Sequence, residues 1–185
     1  MRKVIFTFGL LAGAIVSVLM LLGTRLWENG AISFDNGELI GYGSMIIALS
    51  MIFLGIKSYR DNYRNGTIKF GKGLQVGLLI TLIASLMYAA TWEIYYQSRP
   101  EVRASFMDKY AEQYLDKMKE KGAAAAEIEQ QTKKMDEMKR MYKNPVIRFG
   151  MTLMEIFPVG LIITLISAAV LKRKEVLPAL ELAGR

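Results

Sequence analysis

Four long apolar runs, at about residues 4–22, 39–56, 74–96 and 146–171, constrain this chain more than any other feature. Each comes close to or exceeds the roughly 18 to 20 residues that a helix needs to cross a hydrocarbon layer about 30 Å thick. A bilayer offers no water to the backbone, so every peptide group in such a run must find its partner within the segment, and the run is read as a helix. The pattern predicts an all-α fold, a four-helix transmembrane bundle, with an extramembrane helical hairpin between helices 3 and 4. The 185 residues form one membrane domain, and 97–145 is an insertion within it.

Within that insertion Val102, Phe106, Met107, Tyr110, Tyr114 and Met118 recur at spacings of three and four, which gives a helix one apolar stripe. Gly122 interrupts the pattern, and Ile128, Met135, Met138 and Tyr142 resume it. The simplest reading is two antiparallel helices of about 20 residues, each roughly 30 Å long, joined near Gly122. One continuous helix through Gly122 is the alternative. Asn144 is placed as the N-cap and Pro145 as the first residue of the last span. The stripes either satisfy each other in a solvated cap or, being methionine-rich, give a protein partner an adaptable surface at 101–143.

Lys and Arg mark the cytoplasmic side of short loops. The loop at 57–73 carries Lys57, Arg60, Arg64, Lys69 and Lys72 against Asp61, whereas the loop at 23–38 carries Arg25 against Glu28, Asp35 and Glu38. Both termini are therefore expected in the cytoplasm, with Lys172, Arg173 and Lys174 closing the last span. The eleven Lys and Arg of the 97–145 loop oppose this assignment, but nine acids are interleaved with them and long segments translocate largely regardless of charge. The first run follows Arg2 and Lys3 as a signal peptide would, yet no small-x-small cleavage pattern comes after it, and retention is expected. The net charge of +7 is read as topology and lipid contact, not as nucleic-acid binding.

With no histidine and no cysteine, the usual imidazole and thiolate chemistry is excluded. No catalytic motif, metal site or cofactor is expected. The informative ionisable residue is Glu155, about six residues or roughly 9 Å into the apolar part of the fourth span, where an acid ordinarily faces the bundle interior and has a partner. Arg25 and Arg148 are the candidate partners in an ion pair, and Glu93 with Glu155 would make a proton or cation relay. Pro158, three residues on, frees a carbonyl near the acid and permits a kink. Stripes of small residues at Gly9, Gly13 and Ser17, at Gly73 and Gly77, and at Gly160, Thr164 and Ala168 predict close helix packing. The segment 66–73 nearly matches a phosphate loop, but Gly73 stands where a Ser or Thr would bind magnesium, and no buried strand precedes it. Its cations, with Lys57, Arg60 and Arg64, are read as a basic cytoplasmic loop facing lipid.

The pieces Gly41-Tyr42, Met45-Ile46-Ile47-Ala48-Leu49-Ser50, Gly55-Ile56-Lys57, Tyr59-Arg60-Asp61 and Phe70-Gly71-Lys72, with the ending from Phe157-Pro158-Val159-Gly160-Leu161 to Lys172, resemble the bacterial membrane family called domain of unknown function 4199. The resemblance spans nearly the whole chain. It implies a four-span protein of Gram-negative inner membranes with a variable helical insertion before the last span, and it brings no activity, ligand or catalytic residue. The function expected is that of a small non-enzymatic inner-membrane protein acting through helix packing and a partner at its hairpin. The alternative is a transporter subunit or proton-coupled channel using Glu155 and Glu93.

Overall fold

The computed structural model describes residues 1–172, except for the side chains of Phe34 and Asp35, so Arg173 and Lys174 of the closing basic cluster lie outside the described residues. Seven helices follow in order among the described residues, with no strand: α1 (Arg2–Glu28), α2 (Phe34–Leu49), α3 (Met51–Tyr63), α4 (Phe70–Ser98), α5 (Pro100–Glu120), α6 (Ala125–Tyr142) and α7 (Pro145–Leu171). Four stretches are long and apolar enough to cross a membrane: Arg2–Glu28, Asn36–Tyr63, Phe70–Ser98 and Pro145–Leu171. At 27 to 29 residues each they reach about 40 Å, longer than the apolar runs, because polar residues at their ends also take helical form.

The second stretch illustrates both its interruption and its extension. At Ser50 the hydroxyl donates to the Ile47 carbonyl at 2.6 Å, competing with the backbone ladder and separating α2 from α3. Beyond the apolar residues, Lys57 and Asp61 pair at 2.6 Å across one turn and carry the helix on to Tyr63.

Two compact units divide the chain: residues 1–88 with the part from 153 onward, and residues 89–152. In the first unit Leu49, Ile52, Ile56, Val76 and Ile80 are fully buried. Lipid tails are as apolar as these side chains, so packing distance matters more here than water exclusion. The small residues set that distance. Gly9 faces Ile83 and Gly13 faces Met87 where α1 meets α4. Between α4 and α7, Gly73 meets Ala168, Gly77 meets Thr164, and Gly160 meets Thr81. One partner number rises by four as the other falls by four, so the two helices run antiparallel with a small residue at each turn. A Cβ on Gly77 would lie 2.5 Å from the Thr164 methyl, which leaves no room for any larger residue.

The second unit contains α5 and α6, which pack on each other. Asp108 pairs with Lys139 at 2.8 Å and Phe106 stacks on Tyr142 with centroids 6.0 Å apart, an antiparallel order. Gly122 ends α5 with φ +77°, a conformation that glycine adopts without steric cost. Its N–H donates to the Lys119 carbonyl at 2.9 Å and that of Ala123 to Met118 at 3.0 Å, the paired bonds of a Schellman turn. The chain therefore turns at Gly122 instead of continuing as one helix. At the start of α7, Asn144 Oδ1 accepts from the Val146 N–H at 2.9 Å, capping the helix whose first residue is Pro145.

Candidate functional site: two polar clusters

The second unit builds a cluster around Arg148, which is 2% exposed. Burying a guanidinium requires its donors to be met, and three are. Nε donates to Glu93 Oε2 at 2.8 Å, Nη2 to Glu93 Oε1, and Nη1 to the Tyr142 carbonyl at 2.8 Å. The Arg–carboxylate fork is bidentate, the geometry that planar groups favour. Tyr96 lies under the guanidinium, 4.2 Å from its carbon to the ring centroid, an attractive cation–π contact. Around this pair Trp92 Nε1 donates to the Tyr142 hydroxyl at 2.7 Å, and the Trp92 and Phe106 rings approach to 4.9 Å. Tyr96 and Tyr142 meet edge to face at 5.6 Å. Four helices contribute: Trp92, Glu93 and Tyr96 from α4, Phe106 from α5, Tyr142 from α6 and Arg148 from α7.

In the first unit the polar contacts between helices run through hydroxyls. Thr81 and Thr164 share a hydrogen bond of 3.0 Å, and Thr81 Oγ1 also donates to the Gly160 carbonyl at 3.4 Å. Glu155 is an exposed residue of α7, and its Oε1 accepts from the Tyr88 hydroxyl at 3.5 Å. Pro158 lies inside α7, which continues unbroken through it.

The residues singled out in the sequence thus fall into separate groups. Glu93 and Arg148 are brought together, each the other's main partner. Glu155 has Tyr88 as a partner, a residue the sequence reading did not associate with it. Arg25 is exposed in the last turn of α1. Of the five basic residues at 57–72, Arg64 and Lys69 are exposed, whereas Lys57 and Lys72 are half-buried, Lys72 donating to Gln75 at 2.8 Å. Arg60 does not stand outward with them. It is fully buried, with Nε donating to Asp61 at 2.7 Å, because its stem follows the inner face of α3 that also carries Ile56 and Tyr59. The phosphate-loop lookalike is no loop at its second half, since 70–73 is the first turn of α4.

Sequence reasoning placed Phe106 and Tyr142 on helix stripes and did not connect them with Trp92 and Tyr96. The signal available was Trp92, Glu93 and Tyr96 on adjacent helix positions at the end of one span, with Tyr142 and Arg148 flanking the start of the next. Among the described residues there is no group of three His, Cys, Asp or Glu able to hold a metal ion.

Four helices of spanning length and apolar composition, with polar groups tied to one another, define a multi-pass membrane protein of all-helical fold. The chain belongs to the family described as Protein of unknown function (DUF4199), whose model matches residues 7–173. No curated protein matches the chain, and no solved structure does.

Proposed function

We propose that this is a non-enzymatic protein of the bacterial inner membrane, both termini cytoplasmic, whose spans anchor an extramembrane α5–α6 hairpin that docks a protein partner. The observation that supports it is the Arg148 cluster. It joins the legs of the hairpin to the adjoining ends of α4 and α7 through a bidentate ion pair and four aromatic rings, so the hairpin is held in one pose before any partner arrives. Preorganisation of this kind lowers the ordering cost of binding.

The test has two parts. Single cysteines at Ala124 and Asn62, both exposed, are labelled in intact cells with a membrane-impermeant maleimide; reaction at Ala124 alone is expected, and reaction at Asn62 alone would reverse the topology. A photo-crosslinker at Met141, 47% exposed on α6, should then give a discrete adduct that weakens when Arg148→Ala releases the hairpin. An adduct pattern indifferent to Arg148→Ala would sink the reading.

The rival, a transporter subunit or proton-coupled channel using Glu155 and Glu93, is weakened by the engagement of both Glu93 oxygens with Arg148. It predicts a pH-driven flux in liposomes that Glu155→Gln abolishes.

A further inference from the structure

Ser85 is fully buried in the first unit, and among the described residues its Oγ is the one buried side-chain nitrogen or oxygen without a hydrogen-bond partner. A helical serine can usually donate to the carbonyl one turn back, whereas the Ser85 hydroxyl is left with a hydrogen bond to offer inside a membrane helix. Its surroundings show which. On α4, Thr81, Ser85 and Tyr88 follow at steps of four and three residues along one face, over about 10 Å. In the α4–α7 register, Thr81 lies beside Gly160 and Thr164 at one end, and Tyr88 donates to Glu155 at the other. A file of hydroxyls therefore ends on a carboxyl group, with its one unsatisfied member in the middle. Ser85 in the middle of the file is buried, whereas Glu155 at its end lies on the surface of α7.

The apolar parts of the surrounding helices bring no rival charge, and Arg148, two turns before Glu155 on α7, is paired with Glu93. Residues 4–24, 39–56, 73–87 and 156–171 contain no Asp, Glu, Lys or Arg, and Tyr42 is the one titratable side chain in them. Tyr88 is thus the titratable group that faces Glu155 from α4. The contact between them is long for an O–H···O bond, 3.5 Å against a usual value of about 2.7 to 2.8 Å, and therefore weak.

From this arrangement we infer that Glu155, Tyr88 and Ser85 form a proton-binding site, in which Glu155 carries the proton and a water held by Ser85 continues the hydrogen-bond file. Uptake is a single step: the Glu155 carboxylate takes H⁺ from water and becomes a carboxylic acid, and no other covalent bond changes. The protonated acid no longer needs the Tyr88 hydroxyl, which turns to donate to the water on Ser85. A bare metal cation fits less well, because one carboxylate is the sole anion and Thr81 and Thr164 are already committed to each other at 3.0 Å. The site does not depend on what the α5–α6 pair binds.

The full chain in liposomes is treated with a hydrophobic carbodiimide, which reacts with protonated carboxyls in apolar surroundings, and the adduct is located by peptide mapping. Glu155 should be labelled, less so as the buffer is made alkaline, and labelling should vanish in Glu155→Gln. Tyr88→Phe removes a donor to the carboxylate and should raise labelling at neutral pH about fivefold, whereas Ser85→Ala removes the water that receives the Tyr88 hydroxyl once the acid is protonated and should lower it by a similar factor, each the effect of one lost hydrogen bond. Labelling of Glu155 that ignores pH, that sodium suppresses at constant pH, or that is unaltered in both hydroxyl variants overturns the proposal.

Discussion

The two units of this chain adhere by different means. The first is held by close approach, glycine against side chain at each turn, with hydroxyls as its polar contacts between helices. The second is held by one buried guanidinium, its carboxylate and a set of rings. The contrast follows from the work each surface does. Helices in lipid gain little by hiding apolar area, so they need shape, which many small contacts supply and no single one dominates. A helix pair with nine acids and eleven cations in its loop has few large apolar groups to spare, so it concentrates its cohesion in one cluster.

That difference can be broken most severely at Arg148. Arg148→Ala leaves the Glu93 carboxylate and the Tyr142 carbonyl without their partner, and removal of one side of a buried pair costs about 3 to 5 kcal/mol. Hydrogen exchange should accelerate throughout α5 and α6 while the core around Ile52 and Ile56 stays protected; uniform protection would mean that the cluster is not what holds the second unit. The converse variant is Gly77→Val, which drives methyls into Thr164 and Ile56 and should cost about 1 to 3 kcal/mol by overpacking, seen as a lower melting temperature with rapid exchange confined to the first unit.

A finer probe of the first unit is Thr81→Val, which removes the hydrogen bond to Thr164 while keeping the shape. Interhelical bonds of this kind average about 0.6 kcal/mol in membrane proteins, so a small drop in melting temperature is expected, and a large one would mean that hydroxyls and not close packing dominate. The smallest effect concerns acid. Arg99 donates to Glu101 at 2.9 Å in the first turn of α5 and holds its carboxyl below the usual carboxylate range. A lowered value means that the contribution is present above the unfolded value of about 4.5 and lost as pH falls through the folded one. Acidification should therefore fray the start of α5 in exchange measurements, and Glu101→Gln should abolish that pH dependence.

Most of the architecture is legible in the sequence. The spans were written in the apolar runs, the turn in Gly122 and the last helix start in Asn144-Pro145, because each of these signals is local. The small-residue seams were legible as stripes, and the structure supplies what each stripe touches. The site was less so. Arg148 and Glu93 are 55 residues apart and nothing local links them, so depth alone offers Arg25 and Arg148 as equal candidates for Glu155. Arg60 was missed for the opposite reason. Composition marks a cation near a membrane end as outward-facing, whereas helical phase at Ile56, Tyr59 and Arg60 turned this one inward. Ser85 gave no warning at all, since an orphan hydroxyl exists only relative to its neighbours.

The Schellman turn at Gly122 also has a practical side. Nothing lies within 4 Å of the place where a side chain on Gly122 would start, and the turn's hydrogen bonds are made by its own backbone. Chain length is therefore nearly a free variable at this point. Doubling a flexible loop costs only about 0.6 kcal/mol in closure entropy, so an epitope or a small fluorescent reporter spliced between Gly122 and Ala124 should leave both helices intact. In a chain with no native cysteine, the same spot accepts a single thiol dye without competing signals. The bend that ends α5 thus doubles as a port through which the protein can be watched at work in its own membrane.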